Sequence, residues 1–175
     1  LRLLGPNVGV AGTGTREAEA VIGGSGIFLV GGITDGLVVD GFEINGGRVQ
    51  LIDNPPSTGS ARNNLTFQNN IFRNNPSSDP TIQIESPPGS NLISNNILIT
   101  RNWFDGIRRP RPQFQAIPQA IRVNNVGGVS ITNNRINDYG PGAQGFGILN
   151  QYGNQGISQS SNEFINIGIA NVLLS

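Results

Sequence analysis

One eight-residue pattern recurs along the chain at intervals that no isolated hairpin or helix bundle would produce. Leu65-Thr66-Phe67-Gln68-Asn69-Asn70-Ile71-Phe72 carries apolar residues at its first, third and eighth places and Asn at its sixth. The register returns at Ile97 to Phe104, at Val129 to Ile136 and at Ile157 to Phe164, where Gln159 breaks the third place. Successive starts lie 32, 32 and 28 residues apart, and periods of this length are the signature of stacked repeat architectures. Leu37 to Ile44 keeps the apolar places with Phe42 at the sixth, and Leu1 and Leu3 open a weaker first copy.

A second apolar segment follows each motif: Ile27 to Val30, Val49 to Ile52, Thr81 to Ile84, Ala120 to Val123, Gly147 to Asn150 and Ala170 to Leu174. Alternation such as Ile82/Ile84 and Ile121/Val123 puts one face inward and the other toward solvent, as a two-residue period requires. Clusters such as Asn54-Pro55-Pro56-Ser57 and Pro87-Pro88-Gly89-Ser90 between the segments are turn chemistry. Only Arg16 to Val21 suggests a turn or two of helix. Short strands without helices cannot each bury a face alone, whereas stacked coils can. The expected fold is all-β: a right-handed parallel β-helix of about six coils with no capping helix, forming one domain over residues 1–175. Asn70, Asn102, Asn134 and Asn162 fall at equivalent corners, where stacked amides can satisfy turning backbone and form an Asn ladder.

These coils, together with the opening Leu1-Arg2-Leu3-Leu4-Gly5-Pro6-Asn7 and with Val39-Asp40-Gly41-Phe42, resemble bacterial members of the pectin-lyase-like parallel β-helix superfamily across nearly the whole chain. The resemblance implies an exported, extracellular or cell-surface protein. It leaves activity open, because that superfamily holds lyases, hydrolases, tailspikes, adhesins and modules without known chemistry.

Composition narrows the chemistry. The chain has no His or Cys, and its eleven basic residues are all Arg. Zinc fingers, His-based triads, thiol nucleophiles, disulfides and lysine Schiff bases are therefore excluded. A formal net charge of +0 gives no basic surplus for nucleic acid, and no apolar run approaches the ~20 residues that span a bilayer. Residue 1 is Leu, so the sequence reads as a processed mature protein or an excerpt from a longer one.

Lyases and hydrolases of the superfamily group their carboxylates on neighbouring coils, some holding calcium. Here the eleven acids are scattered. Asp105 and Asp138, just after the motif in consecutive coils, come nearest to alignment; adjacent coils about 4.8 Å apart would let such a pair hold calcium or act as acid and base. The competing reading makes both of them turn residues. Arg108, Arg109 and Arg111, held by Pro110 and Pro112, suit the carboxylates of an anionic polysaccharide, with Trp103 near enough in sequence for sugar stacking; an insertion loop with solvated Arg explains them equally.

Neither end carries an evident polar cap. Leu1, Leu3 and Leu4 at one end and Val172, Leu173 and Leu174 at the other would leave apolar rungs and bare strand edges. Further β-structure is expected beyond both, either as coils of the same chain or as head-to-tail copies forming a filament. The leading functional expectation is an extracellular structural or surface module without a cofactor. A polysaccharide lyase or hydrolase and a noncatalytic carbohydrate-binding or adhesin module remain as alternatives.

Overall fold

The computed structural model describes residues 1–28, 35–52, 63–74, 80–86, 94–106, 118–139 and 145–173. Among these residues there is no helix. Coil one is β1 (Arg2–Leu4), β2 (Val21–Gly23) and β3 (Gly26–Phe28); coil two is β4 (Val38–Asp40), β5 (Glu43–Asn45) and β6 (Arg48–Ile52). Coil three is β7 (Leu65–Gln68), β8 (Ile71–Arg73) and β9 (Ile82–Glu85); coil four is β10 (Ile97–Thr100), β11 (Trp103–Asp105) and β12 (Gln119–Asn124). Coil five is β13 (Val129–Thr132), β14 (Arg135–Asn137) and β15 (Phe146–Gln151); coil six is β16 (Ser158–Ser160), β17 (Glu163–Ile165) and β18 (Ile169–Leu173).

The first strands of all coils form one parallel six-stranded sheet, the second strands another and the third strands the last. This is a parallel β-helix of about six coils. Each recurring motif is thus two strands bent at a two-residue corner. The first corner residue takes positive φ: Gly41 at 81°, Asn69, Arg101 and Asn133 each at 56°, and Ser161 at 55°. The second corner residue is not among the positive-φ positions and, from Asn70 onward, turns its amide inward.

The core follows from register. Phe67, Ile99 and Ile131 lie in one inward row of the first sheet, and Ile44, Phe72, Phe104 and Ile136 in the second sheet, all 1% exposed or less. The Phe72 and Phe104 rings stack with centroids 4.7 Å apart. Val49, Ile82, Ile121 and Ile148 complete each layer from the third sheet. Phe164 is only half-buried against this cluster, because its coil is the last of the stack.

The Asn ladder is present. The Asn70 backbone N–H donates to Asn102 Oδ1 at 2.9 Å, that of Asn102 to Asn134 Oδ1 at 3.0 Å, and that of Asn134 to Asn162 Oδ1 at 3.0 Å. Each Nδ2 also donates to a carbonyl of the preceding coil: Asn102 to Phe67 at 2.9 Å, Asn134 to Ile99 at 2.9 Å and Asn162 to Ile131 at 2.8 Å. Asn70, Asn102 and Asn134 are buried and Asn162 is half-exposed. The same device recurs between the third and first sheets, where Asn154 Oδ1 accepts from Val126 N–H and its Nδ2 donates to Val123 O.

Two expectations need correction. Arg16 to Val21 is not helical. Its polar groups are claimed from outside the segment: Asn7 Oδ1 accepts from Glu17 N–H at 2.8 Å, and Arg16 donates to the carbonyls of Val10 and Asn69 at 2.8 and 2.7 Å. Val21 then begins β2. The last rung is also not uniformly apolar. Gln159 pairs with Ile131 and Asn171 with Ile148, which puts amides at inward places, and Gln159 Nε2 donates to Asn171 Oδ1 at 3.3 Å.

Candidate binding surfaces

Constant and variable connections divide the surface. From coil two onward the link between first and second strands is always two residues. Coil one instead inserts residues 5–20 at this corner. The insertion runs as a strap along the corners of coils two to four. Gly9 N–H donates to Asp40 Oδ1, Gly12 N–H donates to Arg101 O at 2.8 Å, and Arg101 Nη2 donates back to Gly9 O at 2.8 Å. A Cβ on Gly12 would stand 2.6 Å from Asn70 O and 2.7 Å from Trp103 N, so glycine is required at that crossing. Asp40, 2% exposed, is fully engaged below it, accepting from Asn69 Nδ2 at 2.7 Å and Gln68 Nε2 at 2.6 Å.

Arg16 locks the strap. Its guanidinium pairs with the Glu19 carboxylate while bonding Val10 O and Asn69 O, and its side chain is 6% exposed. The hydrogen bond from Arg16 holds the Glu19 carboxyl below its ordinary value against the opposing effect of burial, and Asn7 Nδ2 adds a second bond. Because the folded value is depressed, the pair stabilises at neutral pH, and that contribution is lost as pH falls through it. We expect Arg16→Ala to release the strap at a cost of roughly 1–3 kcal/mol. A glutamate-specific protease should then cut after Glu17 or Glu19 in the variant and spare the parent; equal resistance of the two would show that the strap is held elsewhere.

Beside the strap lies the outer face of the second sheet. Glu43, Ile71, Trp103, Arg135 and Glu163 form one outward row, and Asn45, Arg73, Asp105, Asn137 and Ile165 the next. Trp103 Nε1 donates to Asn137 Oδ1 at 2.6 Å, and the Arg73 guanidinium lies 4.9 Å from the centroid of the Trp103 ring. Arg73 stands between Glu43 at 3.6 Å and Asp105 at 3.7 Å, and its Nε is occluded without a hydrogen-bond acceptor. Strap and sheet enclose a cleft of about 280 Å³, lined among others by Thr13, Arg16, Glu17, Glu43, Arg73 and Trp103. The third sheet's outer face is quieter, with Arg122 and Glu85 paired at 2.6 Å.

The carboxylates singled out from sequence are not brought into register. Asp105 pairs with Asn137, whose Nδ2 donates to Asp105 Oδ1 at 2.8 Å. Asp138 falls one place later, at φ 61° opposite Gly106, and accepts from Asn166. Among the described residues no three acids gather as a metal site. Arg108, Arg109, Arg111 and Leu174 lie outside the described residues. Leu1 and Leu4 are exposed, Leu3 packs against the core, Val172 is half-buried, and Leu173 pairs with Asn150. Asn7, Arg16, Glu19, Asp40 and Arg73 were not singled out as site residues from sequence. The sequence marked only the segment Arg16 to Val21, and as a turn or two of helix. No helix among the described residues is long and apolar enough to cross a membrane.

Comparison of the chain with family models, with curated proteins and with solved structures gave no match in any of the three.

Proposed function

We propose that the chain is a noncatalytic structural module of an extracellular, pectin-lyase-like β-helix that works by stacking end to end with more β-helix, as further coils or as copies in a filament. One observation carries this reading: all three sheets keep register to the outermost rungs, and among the described residues no strand pairs beyond β1, β2 and β3 at one end or beyond β16, β17 and β18 at the other. Open parallel edges invite pairing, and Leu1, Leu4, Val21 and Ile169 expose apolar surface there. The engaged state of Asp40, Asp105, Glu85 and Glu19 is consistent with a structural rather than a catalytic use of the acids.

The purified chain should form filaments in the electron microscope as its concentration rises. Leu3→Asp, which places a charge on the first rung, should abolish them while the β-sheet circular dichroism persists. A chain that sediments as a monomer at every concentration, with unchanged dichroism, would refute assembly of copies.

A further inference from the structure

On the reading that the chain stacks end to end with more β-helix, on which this rests, we propose that the last rung selects its neighbour. The coil that lies against it turns amide side chains inward at the two places where Gln159 and Asn171 do, and the first rung of an identical copy is a mismatched partner.

Register fixes what would meet what. The inward row of the first sheet begins at Leu3 and ends at Gln159. That of the second runs from Ile22 to Phe164, and that of the third from Ile27 to Asn171. A copy that continued all three sheets would therefore set Leu3 on Gln159, Ile22 on Phe164 and Ile27 on Asn171. Only the second of these contacts is apolar on both sides.

The two amides are underused where they stand. Gln159 Nε2 donates to Asn171 Oδ1 at 3.3 Å, and neither side chain makes another hydrogen bond among the described residues. An amide offers two N–H donors and an oxygen with two lone pairs, so Gln159 Oε1 and Asn171 Nδ2 are left to water, which reaches them because Gln159 is half-buried and Asn171 exposed. Leu3 and Ile27, laid over the pair, would remove that water without replacing its bonds. Amides at the same two places would bond across the junction, as Asn134 Nδ2 does to Asn162 Oδ1 at 3.1 Å at the corner of this rung. Phe164 argues against a plain solvent cap, since it keeps a half-buried ring facing inward beside the pair, with apolar surface left for a neighbour. A polar pair in an otherwise apolar stack favours a matching partner by penalising the others. Self-stacking is then confined to high concentration.

Four intact chains make a double-mutant cycle across the junction. Leu3→Gln/Ile27→Asn puts amides on both sides, Gln159→Leu/Asn171→Ile puts apolar residues on both, and the four substitutions together restore a mismatch of the opposite sense. The critical concentration for filaments, read by sedimentation and electron microscopy, should fall at least tenfold in each matched chain and return to within about threefold of the parent in the combined one. Ser160→Val, which adds an apolar group on the outward face of coil six, should leave it unchanged. Thermal melts would establish that each chain is folded, and because the matched pairs alter opposite ends, unfolding of one leaves the other as the test. Unchanged concentrations in folded matched chains would overturn the selection and leave stacking standing. A fall for the apolar pair with a rise for the amide pair would also overturn it, since the last rung would then be a solvent cap. No filament from any of the four chains would remove the stacking of copies and the selection with it.

Discussion

Ile131→Asp should leave no cooperatively folded protein at room temperature. Ile131 is fully buried at the inward position of β13, with Ile99 below and Gln159 above in the same row. Loss of the aliphatic side chain alone costs about 2–5 kcal/mol, and an uncompensated carboxylate in a dry layer adds several more or forces the group to take up a proton. The sum is comparable to the whole stability of an ordinary domain, about 5–15 kcal/mol. Because the strands of coil five pair with those of coils four and six, a broken layer separates coils one to four from coils five and six rather than softening one spot. The matched control is Ser130→Asp, one residue away on the outward face, which should melt within a few degrees of the parent. Equal melting of the two variants would mean that β13 is turned the other way, and the inward rows assigned to the first sheet would fall with it.

That experiment tests the part of the architecture that the repeat itself revealed. Alternation within Val129-Ser130-Ile131-Thr132 specifies which residues face inward, and the 32-residue spacing specifies what they stack on, so the first two sheets and their corner were legible before any coordinates. The strap was not. Arg16 and Glu19 stand three apart, the spacing of helix neighbours, and nothing local discloses that Arg16 reaches the carbonyl of Asn69. Asp105 and Asp138 illustrate a second limit. They sit one and two places beyond the matched Phe104 and Ile136, and one residue of offset in a strand is enough to change the face and the partner. Trp103 and Arg73 show a third: they are thirty residues apart and meet only because β8 and β11 are adjacent with Arg73 opposite Asp105. The polar last rung was half legible, since Gln159 stood out as a break in the motif, but its partner Asn171 required the register of the third sheet.

The ladder yields the other large effect. Asn102→Ala should destabilise by about 2–6 kcal/mol, more than the loss of volume explains. The Asn102 amide serves two backbone groups of the dry corner: its Oδ1 accepts from Asn70 N–H at 2.9 Å, and its Nδ2 donates to Phe67 O at 2.9 Å. Truncation leaves the Asn70 N–H unsatisfied, at about 1–3 kcal/mol, and removes three further bonds, to Asn70 Nδ2, Phe67 O and Asn134 Oδ1, at roughly 0.5–1.5 kcal/mol each. Water cannot substitute, because Asn102 is 0% exposed with ladder residues of similar burial on either side. Asn162→Ala removes three bonds, one fewer, at the half-exposed end of the row, where solvent reaches the freed Asn134 N–H, so its cost should be about half or less. Denaturant unfolding of the two variants measures this contrast directly. The gradient along the row, rather than either value, carries the claim: equal losses at positions 102 and 162 would mean that the amides act by filling space, and a larger loss at 162 would mean that the corner is already wet at coil four.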